Sequence, residues 1–407
     1  MSRNLTIDPP RTAVKIFRPR TLAPMPSAHL DLMRGIAAWA VMWGHVRGNF
    51  FVDFQELQHP NLVLKAAYFV TGFGHQAVMV FFVLSGFLIS SSVFNGLATG
   101  NWSWRDYSIN RVSRLYAVLI PGLLLGFVWD KSGSSLFAST GLYTHPLQDF
   151  GALIAQKQLT AGAFAGNLFF LQTILCPVFG SNGPLWSLAN EFWYYVLFPV
   201  GLLALIGWRR GVLRRAVPLT IAAGVVATFL GREIRNGFLI WMAGCVLLMA
   251  YSKLREFPKR WVAPYIVVSS IILISCLVAA RLGTSRMLGA DLPVGLAFAL
   301  FLFGILQIDF RVRFHAYANL ARFFAGFSYS LYVLHFPALL FLRAWLAPYR
   351  WRPDFRHFVF VIAIGVAVLL FAWLVSLVTE NRTSALRRWM KAAIPSGVGP
   401  ARPAEVK

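Results

Sequence analysis

Long apolar stretches separated by short polar segments run from residue 30 to residue 379, and they predict helices that cross a membrane. A hydrocarbon core about 30 Å thick requires about 20 mostly apolar residues in a helix. Ten stretches reach or approach this length: 30–50, 68–94, 112–130, 184–207, 216–230, 236–252, 262–280, 290–308, 323–346 and 357–379. The predicted fold is therefore all-α, a polytopic membrane helix bundle of about ten transmembrane helices.

The composition supports the same class of protein. Of the 407 residues, 57% are hydrophobic and 13% are charged, whereas a soluble domain has about 25% charged residues. This deficit excludes a soluble domain with an ordinary water-exposed surface, and it also excludes a disordered chain. The three cysteines, Cys176, Cys245 and Cys276, have no spacing that indicates a disulfide framework or a zinc site.

The formal net charge is +23, which in a soluble protein would indicate nucleic-acid binding. In a membrane protein the positive-inside rule explains this charge, because short cytoplasmic loops accumulate Lys and Arg. With both termini in the cytoplasm, 25 of the 38 Lys and Arg residues fall on cytoplasmic segments and 10 on external loops. We therefore expect no nucleic-acid partner, a basic Pro-rich cytoplasmic tail at 1–28, a membrane domain at 29–380 and a basic cytoplasmic tail at 381–407.

Few ionisable residues lie inside the predicted spans. Each is a functional candidate, because such a residue costs at least about 2.5–3.5 kcal/mol near the centre of a membrane helix. They are Arg34, His45, His75, Glu191, His335 and Arg343. Glu191 is the only acid well inside a predicted span.

The first predicted span carries a basic pair on one face. Arg34 and His45 are 11 residues apart, close to three helical turns, so they lie about 16 Å apart on the same side. Asp31, three residues before Arg34, can pair with it. Glu191 lies at a depth that matches His45, and a carboxylate beside an imidazole would orient it as a general base. The structural alternatives are a snorkelling Arg34, a core hydrogen bond of His45, and a Glu–Arg or Glu–Tyr bond between helices.

Arg111 and Arg114 open the third predicted span from the cytoplasmic side. Their i, i+3 spacing projects two guanidinium groups from one helix face, an arrangement suited to phosphate oxygens. Two arginines at a cytoplasmic helix end are also what the positive-inside rule predicts. The spacing alone leaves both interpretations open.

The ninth predicted span carries a polar stripe formed by Ser328, Tyr332 and His335, which are spaced four and three residues apart. Such a stripe is typical of hydrogen bonds between membrane helices and equally of a catalytic face. In the second predicted span, Ser85 lacks the outer glycines of a hydrolase nucleophile. The pair Ser85 and Gly86 indicates a point of close helix packing instead.

Five motifs follow one another between Leu30 and Glu380. They are Leu-Asp-Leu-Met-Arg-Gly at 30–35 followed by His45, Phe-Phe-Val-Leu-Ser-Gly-Phe-Leu at 81–88, Asn-Arg-Val-Ser-Arg-Leu-Tyr at 110–116, Leu-Trp-Ser-Leu-Ala-Asn-Glu at 185–191 followed by Tyr195, and Ser-Tyr-Ser-Leu-Tyr-Val-Leu-His at 328–335. Together they closely resemble the acyltransferase 3 family of integral-membrane proteins. The resemblance covers nearly the whole chain.

This resemblance implies transfer of an acyl group, usually acetyl, from cytoplasmic acyl-CoA to a hydroxyl of an extracytoplasmic carbohydrate or glycolipid, at a bacterial inner membrane. The Arg-x10-His pattern of the family falls on Arg34 and His45, with His45 in the catalytic position. Its Arg-x-x-Arg pattern falls on Arg111 and Arg114, which are thereby placed to meet the CoA phosphates. The Glu of its Trp-Ser-Leu-x-x-Glu motif falls on Glu191.

The remaining motif residues are expected to line or support the substrate pocket. They are Trp186, Ser187, Tyr195, Ser328, Tyr332 and His335. The chain departs from the family at Phe192, where many bacterial members carry a second acid. This difference is expected to alter the outer part of the pocket.

The resemblance and the residues lead to one mechanistic expectation with two alternatives. His45, supported by Glu191, is expected to remove the proton from the acceptor hydroxyl for direct attack on the thioester, while Arg34 orients the CoA arm or pairs with Asp31. A transient acyl-His45 is the alternative chemistry, with ping-pong kinetics. The alternative function from another class is a transporter or flippase for a lipid-linked sugar, which would use the same basic mouth and intramembrane charges.

No metal and no tightly bound cofactor is expected. The eight His residues show no i, i+4 pairing and no acid partner typical of a metal site. Acyl-CoA enters as a co-substrate, and the other expected partners are the carbohydrate or glycolipid acceptor and the lipid bilayer.

Overall fold

The structure, a computed structural model, describes residues 17–147, 150, 152–254, 257–283, 288–308 and 314–394. Within these ranges the chain forms α1 (Pro24–Phe50), α2 (Leu62–Val70), α3 (Gly74–Ala98), α4 (Trp104–Leu136), α5 (Ala161–Leu168), α6 (Leu185–Arg209), α7 (Leu213–Phe229), α8 (Arg232–Lys253), α9 (Lys259–Arg281), α10 (Leu288–Ile305), α11 (Phe314–Gly326), α12 (Ser328–Leu346), α13 (Phe355–Val378) and α14 (Thr383–Ala393). The predicted all-α class is confirmed.

Seven helical segments in the described part of the chain are long and apolar enough to cross a membrane, which indicates an integral membrane protein. They are Leu62–Ala98, Trp104–Leu136, Leu185–Arg209, Arg232–Lys253, Lys259–Arg281, Ser328–Leu346 and Phe355–Ala393. Each of the ten predicted spans overlaps a helix, but the helices α1, α7 and α10 are not among these seven segments. The first is too polar, and the others have apolar parts shorter than 18 residues. The count of about ten spans therefore stays a prediction.

The helix α1, which carries Arg34 and His45, packs against α3, α11, α12 and α13. It begins with Pro24 in its first turn, where the missing N–H of proline removes no helical hydrogen bond. Neighbouring helices cover much of α1, so its ionisable side chains face protein and cavities rather than lipid alone. Such surroundings are where charged residues are tolerated in a membrane protein.

The loop before α6 is tied to α4 and α12 by buried hydrogen bonds. Pro337 in α12 has no N–H, so the carbonyl of Val333 receives no helical hydrogen bond from it. Asn182 donates its side-chain amide to that carbonyl at 2.8 Å. Ser181 donates its backbone N–H and its hydroxyl to the Asp130 carboxylate, both at 2.7 Å. These bonds fix the start of α6 relative to α4 and α12.

The helices α3 and α8 approach each other closely at two glycines. A Cβ at Gly86 would lie 1.9 Å from the carbonyl oxygen of Trp241, and a Cβ at Gly244 would lie 2.0 Å from the carbonyl oxygen of Val83. The predicted close packing at Gly86 is confirmed. Beside it, the indole N–H of Trp241 donates to the hydroxyl of Ser85 at 3.1 Å, which gives Ser85 a structural hydrogen bond.

The predicted C-terminal tail contains a helix, α14, that packs against α4. Arg105, near the start of α4, donates to the carbonyl oxygens of Lys391 and Ile394 at 2.6 and 2.5 Å. The ammonium group of Lys391 lies 3.5 Å from the carboxylate of Asp106. Residues 383–393 are therefore part of the folded bundle, whereas 1–16 and 395–407 of the predicted tails lie outside the described residues.

Candidate active site

A cavity of about 780 Å³, which we call the large cavity, lies between α1, α3, α6, α8, α10 and α12. Its aromatic lining includes Phe82, Trp186 and Tyr332. Its polar lining includes His45, His75, Asn190, Arg232, Glu233 and Asp291. Much of this wall comes from 71–79, 231–237 and 291–292, which belong to helix ends that the Lys and Arg distribution assigns to the external side.

His45 lies on the wall of the large cavity, among aromatic rings. Its ring centroid is 5.1 Å from that of Phe336, 5.3 Å from that of His335 and 5.5 Å from that of Phe150. Four residues later in α1, the side chain of Asn49 donates to the His45 backbone carbonyl at 2.9 Å. The imidazole is thus exposed to the cavity on a helix that packs against four others.

His335 is fully buried, and its hydrogen bonds define its tautomer. Its Nδ1 lies 3.0 Å from the carbonyl oxygen of Leu331 and 2.9 Å from that of Tyr332. A carbonyl oxygen only accepts, so we assign the ring hydrogen to Nδ1 and the lone pair to Nε2. This Nε2 is buried and has no hydrogen-bond partner among the described residues. His335 therefore places an unused acceptor in a ring that contacts His45.

A second cavity of about 70 Å³, the small cavity, lies on the other side of Tyr332. It brings together residues from α1, α3, α4, α6 and α12. Its polar lining includes Arg34, Arg114, Ser187, Glu191, Tyr195 and Ser328. On α1, α4 and α12 these residues lie toward the helix ends predicted to be cytoplasmic, so the two cavities follow each other along the helix axes.

The guanidinium group of Arg34 is held at the wall of the small cavity. It forms an ion pair with Asp31 at 3.1 Å and donates to the carbonyl oxygen of Ala325 at 3.4 Å. The predicted pairing of Asp31 with Arg34 is confirmed. The Nε of Arg34 is buried without a hydrogen-bond partner among the described residues, so this side chain keeps an unused donor.

Glu191 lines the small cavity and His45 lines the large cavity, so the structure places the carboxylate and the imidazole in different cavities. The Glu191 carboxylate accepts a short hydrogen bond from the hydroxyl of Tyr195, one turn further along α6. The expectation considered how deep Glu191 and His45 lie in the membrane, but not which face of its helix carries each residue. Residues four apart share a face, so Ser187, Glu191 and Tyr195 line the small cavity while Trp186 and Asn190 line the large cavity. The Glu–Tyr bond that was an alternative is present, but within one helix.

The two arginines of the Arg-x-x-Arg pattern have different surroundings. Arg114 lines the small cavity, where it lies close enough to Glu191 to interact electrostatically. Arg111 lies over the ring of Tyr107 at 5.6 Å and donates to the hydroxyl of Ser92 at 3.5 Å. It lines neither of the two cavities.

Tyr332 and Phe82 line both cavities and separate them. The hydroxyl of Tyr332 donates to the carbonyl oxygen of Pro184 at 3.0 Å and lies 2.5 Å from the hydroxyl of Ser187. Ser328, one turn before Tyr332, donates to the carbonyl oxygen of Ala325 at 2.8 Å. The predicted polar stripe of α12 thus runs from the small cavity, past the separating Tyr332, to the neighbour of His45.

One acid near the site was not predicted from the sequence. Glu380 accepts hydrogen bonds from the backbone N–H and the hydroxyl of Ser330, both at 3.0 Å. It lies close enough to Arg34 and Arg114 to interact with both electrostatically. Glu380 follows the last apolar stretch directly, and an acid at that position is the signal that could have indicated it.

Two groups of the large cavity were also missed. His75 had been recognised as ionisable, but its partner Asp291, 2.9 Å away at the start of α10, had not. The side-chain oxygen of Asn190, a residue only 3% exposed, has no hydrogen-bond partner among the described residues. An asparagine in an apolar helix beside Trp186 was the available signal. No cluster of three metal-ligating side chains is found in the described ranges.

The chain was compared with known protein families, curated proteins and solved structures. The model of the acyltransferase 3 family, described as an acyltransferase domain, matches residues 27–377. No curated protein and no solved structure matches the chain. The match includes all five sequence motifs and the residues of both cavities. The chain therefore belongs to the acyltransferase 3 family, and its helices and cavities belong to a membrane acyltransferase domain.

Proposed function

We propose that this protein transfers an acyl group, acetyl in the simplest case, from cytoplasmic acyl-CoA to a hydroxyl of an extracytoplasmic carbohydrate or glycolipid. The observation that carries the proposal is the pair of cavities. His45 lines the large cavity, Arg34 and Arg114 line the small cavity, and the two meet at Tyr332. A donor and an acceptor that enter from opposite ends would bring their reacting groups together at this boundary.

The distribution of positive charge supports the assignment of the two ends. The excess of Lys and Arg assigns the small-cavity ends of α1, α4 and α12 to the cytoplasm and the mouth of the large cavity to the outside. In this orientation both termini are cytoplasmic, and acyl-CoA is supplied from the side where it is made. We propose a bacterial inner membrane as the location of the protein, which the resemblance to the acyltransferase 3 family implies.

The lining of the large cavity is suited to a polyhydroxylated acceptor. The unused oxygen of Asn190 and the carboxylate of Glu233 are acceptors for hydroxyl donors, and Trp186 offers an aromatic face. A volume of about 780 Å³ is within the range of small-molecule sites, which is about 300–1,000 Å³. One or two sugar rings at a time are therefore the expected occupants.

His45 is the proposed general base. It takes the proton of the acceptor hydroxyl, the hydroxyl oxygen bonds to the thioester carbonyl carbon, and the bond from that carbon to sulfur breaks. The CoA thiolate leaves and recovers the proton from His45. General-base catalysis of this kind contributes about 10²–10⁴-fold in rate. Transfer through an acyl-His45 uses the same geometry and differs in its kinetics.

The other site residues take revised roles in this proposal. His335, which touches His45, replaces Glu191 as the side chain that supports the imidazole. Glu191 balances the positive charge of Arg114 and fixes the hydroxyl of Tyr195. Arg34 supplies its unused Nε donor to the acyl-CoA arm, and Arg114 supplies the positive charge of its guanidinium group to the small cavity. Ser187 and Ser328 hold Tyr332 and the start of α12 in place.

Release of CoA from labelled acetyl-CoA by the purified protein tests the proposal. Slow thioester hydrolysis without an acceptor is expected for the wild type and should be lost in His45→Ala. The matched control is His29→Gln, on the same helix, because His29 lines neither cavity. Label that stays on the denatured wild-type chain would favour the acyl-His45 route. Activity of His45→Ala equal to that of the wild type would refute the role of His45, and a transporter would show no thioester cleavage at all.

A further inference from the structure

The helix α14 places one arginine against the body of the protein. The bonds from Arg105 to the last carbonyl groups of α14 hold this helix beside the start of α4. The Nε of Arg387 is buried and has no hydrogen-bond partner among the described residues, whereas Arg388 is exposed to solvent. Arg387 therefore faces inward and its neighbour in sequence faces outward.

Arg387 continues a row of arginines that ends in the small cavity. Arg34 and Arg114 lie close enough to repel each other. Arg111 is repelled in the same way by Arg114 and by Arg387. Because Arg111 lies about 4.5 Å along α4 from Arg114 toward the start of that helix, the row runs outward from the small cavity to α14.

Within the described residues, carboxylates balance the positive charge of this row only at its small-cavity end. Three carboxylates lie near Arg34 and Arg114. Arg111 and Arg387 form no ion pair within the ranges that the structure describes, and the Nε of each is buried without a hydrogen-bond partner. Two like charges that lie close together, each with a buried and unused Nε donor, are unfavourable. An anion bound between Arg111 and Arg387 would satisfy both groups.

We propose that Arg387 binds the 3′-phosphate of CoA and completes, with Arg111 and Arg114, a site for the phosphate groups of the acyl donor. This inference rests on the proposed function, because it takes acyl-CoA as the ligand. In CoA the thioester is followed by the pantetheine arm, the pyrophosphate and then the ribose with its 3′-phosphate. The row from the small cavity to Arg387 presents its cations in that order, and the guanidinium fork matches phosphate oxygens.

Phosphate groups are also presented by anionic lipids, and α14 has features of a helix at a membrane surface. Its Trp389 is 67% exposed beside several basic residues. The inward direction of Arg387 favours a ligand that reaches the small cavity over a headgroup at the surface. The experiment below separates these two sources of phosphate.

The test compares the Kd of CoA with that of dephospho-CoA, which lacks only the 3′-phosphate, in a neutral detergent. We expect the wild type to bind CoA about tenfold more tightly, which corresponds to about 1.4 kcal/mol, because the 3′-phosphate would accept charge-assisted hydrogen bonds from Arg387. Arg387→Gln should lose this preference while its affinity for dephospho-CoA stays unchanged. Arg388→Gln, the matched control on the exposed side of α14, should keep the full preference.

Three results would overturn the inference. The first is an Arg387→Gln variant that keeps the full preference for CoA over dephospho-CoA. The second is a variant whose affinities for both ligands fall equally. The third is a variant that keeps the preference but no longer responds to added anionic lipid, which would assign Arg387 to the bilayer. A wild type that binds no CoA would refute the proposed donor instead, so the two failures are distinguishable. The elution volume of each purified variant reports whether it is folded. Arg387→Lys changes packing less than Arg387→Gln, and we expect it to lose a smaller part of the preference for CoA over dephospho-CoA.

Discussion

In the proposed mechanism, the reactivity of His45 depends on the neighbouring ring of His335, whose hydrogen is already held by backbone carbonyl groups. His335 uses its Nδ1 hydrogen on backbone carbonyl groups, so its Nε2 remains an acceptor beside the His45 ring. A buried acceptor without a partner costs about 1–3 kcal/mol. An imidazolium formed at His45 during the reaction, or a ligand donor, would remove this cost. The polar stripe of α12 was predictable from sequence, but the tautomer of His335 follows only from the structure.

Replacing His335 with Phe tests this role, because Phe keeps an aromatic ring and removes the acceptor. We expect kcat to fall about tenfold or more, which corresponds to about 1.4 kcal/mol, while KM for acyl-CoA changes little. Steady-state thioester cleavage gives both values. His357→Phe, at the start of α13 and outside both cavities, is the control. A folded His335→Phe variant with wild-type kcat would remove His335 from the mechanism.

Glu191 should affect donor binding rather than the base. Glu191→Gln leaves Arg34 and Arg114 with less compensating charge, so we expect turnover to fall and KM for acyl-CoA to change. The pH dependence of kcat should keep the shape of the wild-type curve, because Glu191 and His45 line different cavities. Kinetics over a pH range check this, with Glu56→Gln in an exposed turn as the control. A shifted pH profile would restore the direct support of His45 by Glu191.

At the scale of helices, the apolar stretches of the sequence located the long helices, but the contacts between helices depend on which face each helix turns toward its neighbours. The stretches 184–207 and 323–346 overlap α6 and α12, and the shared face of Arg34 and Asp31 led correctly to their ion pair. The face of Glu191 was not predictable in the same way, because its relation to His45 depends on how α1 and α6 are rotated against each other. α14 was missed as a packed helix because its sequence is basic and polar.

Close packing of α3 on α8 should determine the stability of the bundle. Gly86→Ala places a methyl group against the backbone of Trp241, which cannot move away as a side chain can. We expect a lower thermal midpoint for this variant, with overpacking costing about 1–3 kcal/mol. Gly201→Ala in α6 is the matched control, since nothing lies within 4 Å of its added Cβ. That variant should be neutral or more stable, by up to about 1 kcal/mol. Equal midpoints for the two variants would contradict the proposed packing.

At the scale of the whole molecule, ionisable side chains of distant helices come together around two neighbouring cavities. Composition and the five motifs predicted the class and the family, and the family match confirms the latter. The two cavities, which Tyr332 and Phe82 separate, could not be predicted, because their walls combine seven helices that are distant in sequence. We propose that the cationic row, the boundary at Tyr332 and the large cavity together form one path along the helix axes for donor and acceptor.

Transfer across membrane vesicles of known orientation tests whether a cytoplasmic donor site and an external acceptor site meet at His45. Labelled acetyl-CoA, which does not cross a bilayer, is supplied to inside-out or right-side-out vesicles that contain the protein and its native carbohydrate. We expect acetylated carbohydrate only when acetyl-CoA meets the cytoplasmic face, with no product from His45→Ala vesicles. Equal labelling from either face, or labelling that survives in His45→Ala, would contradict a path that joins a cytoplasmic donor site to an external acceptor site at His45.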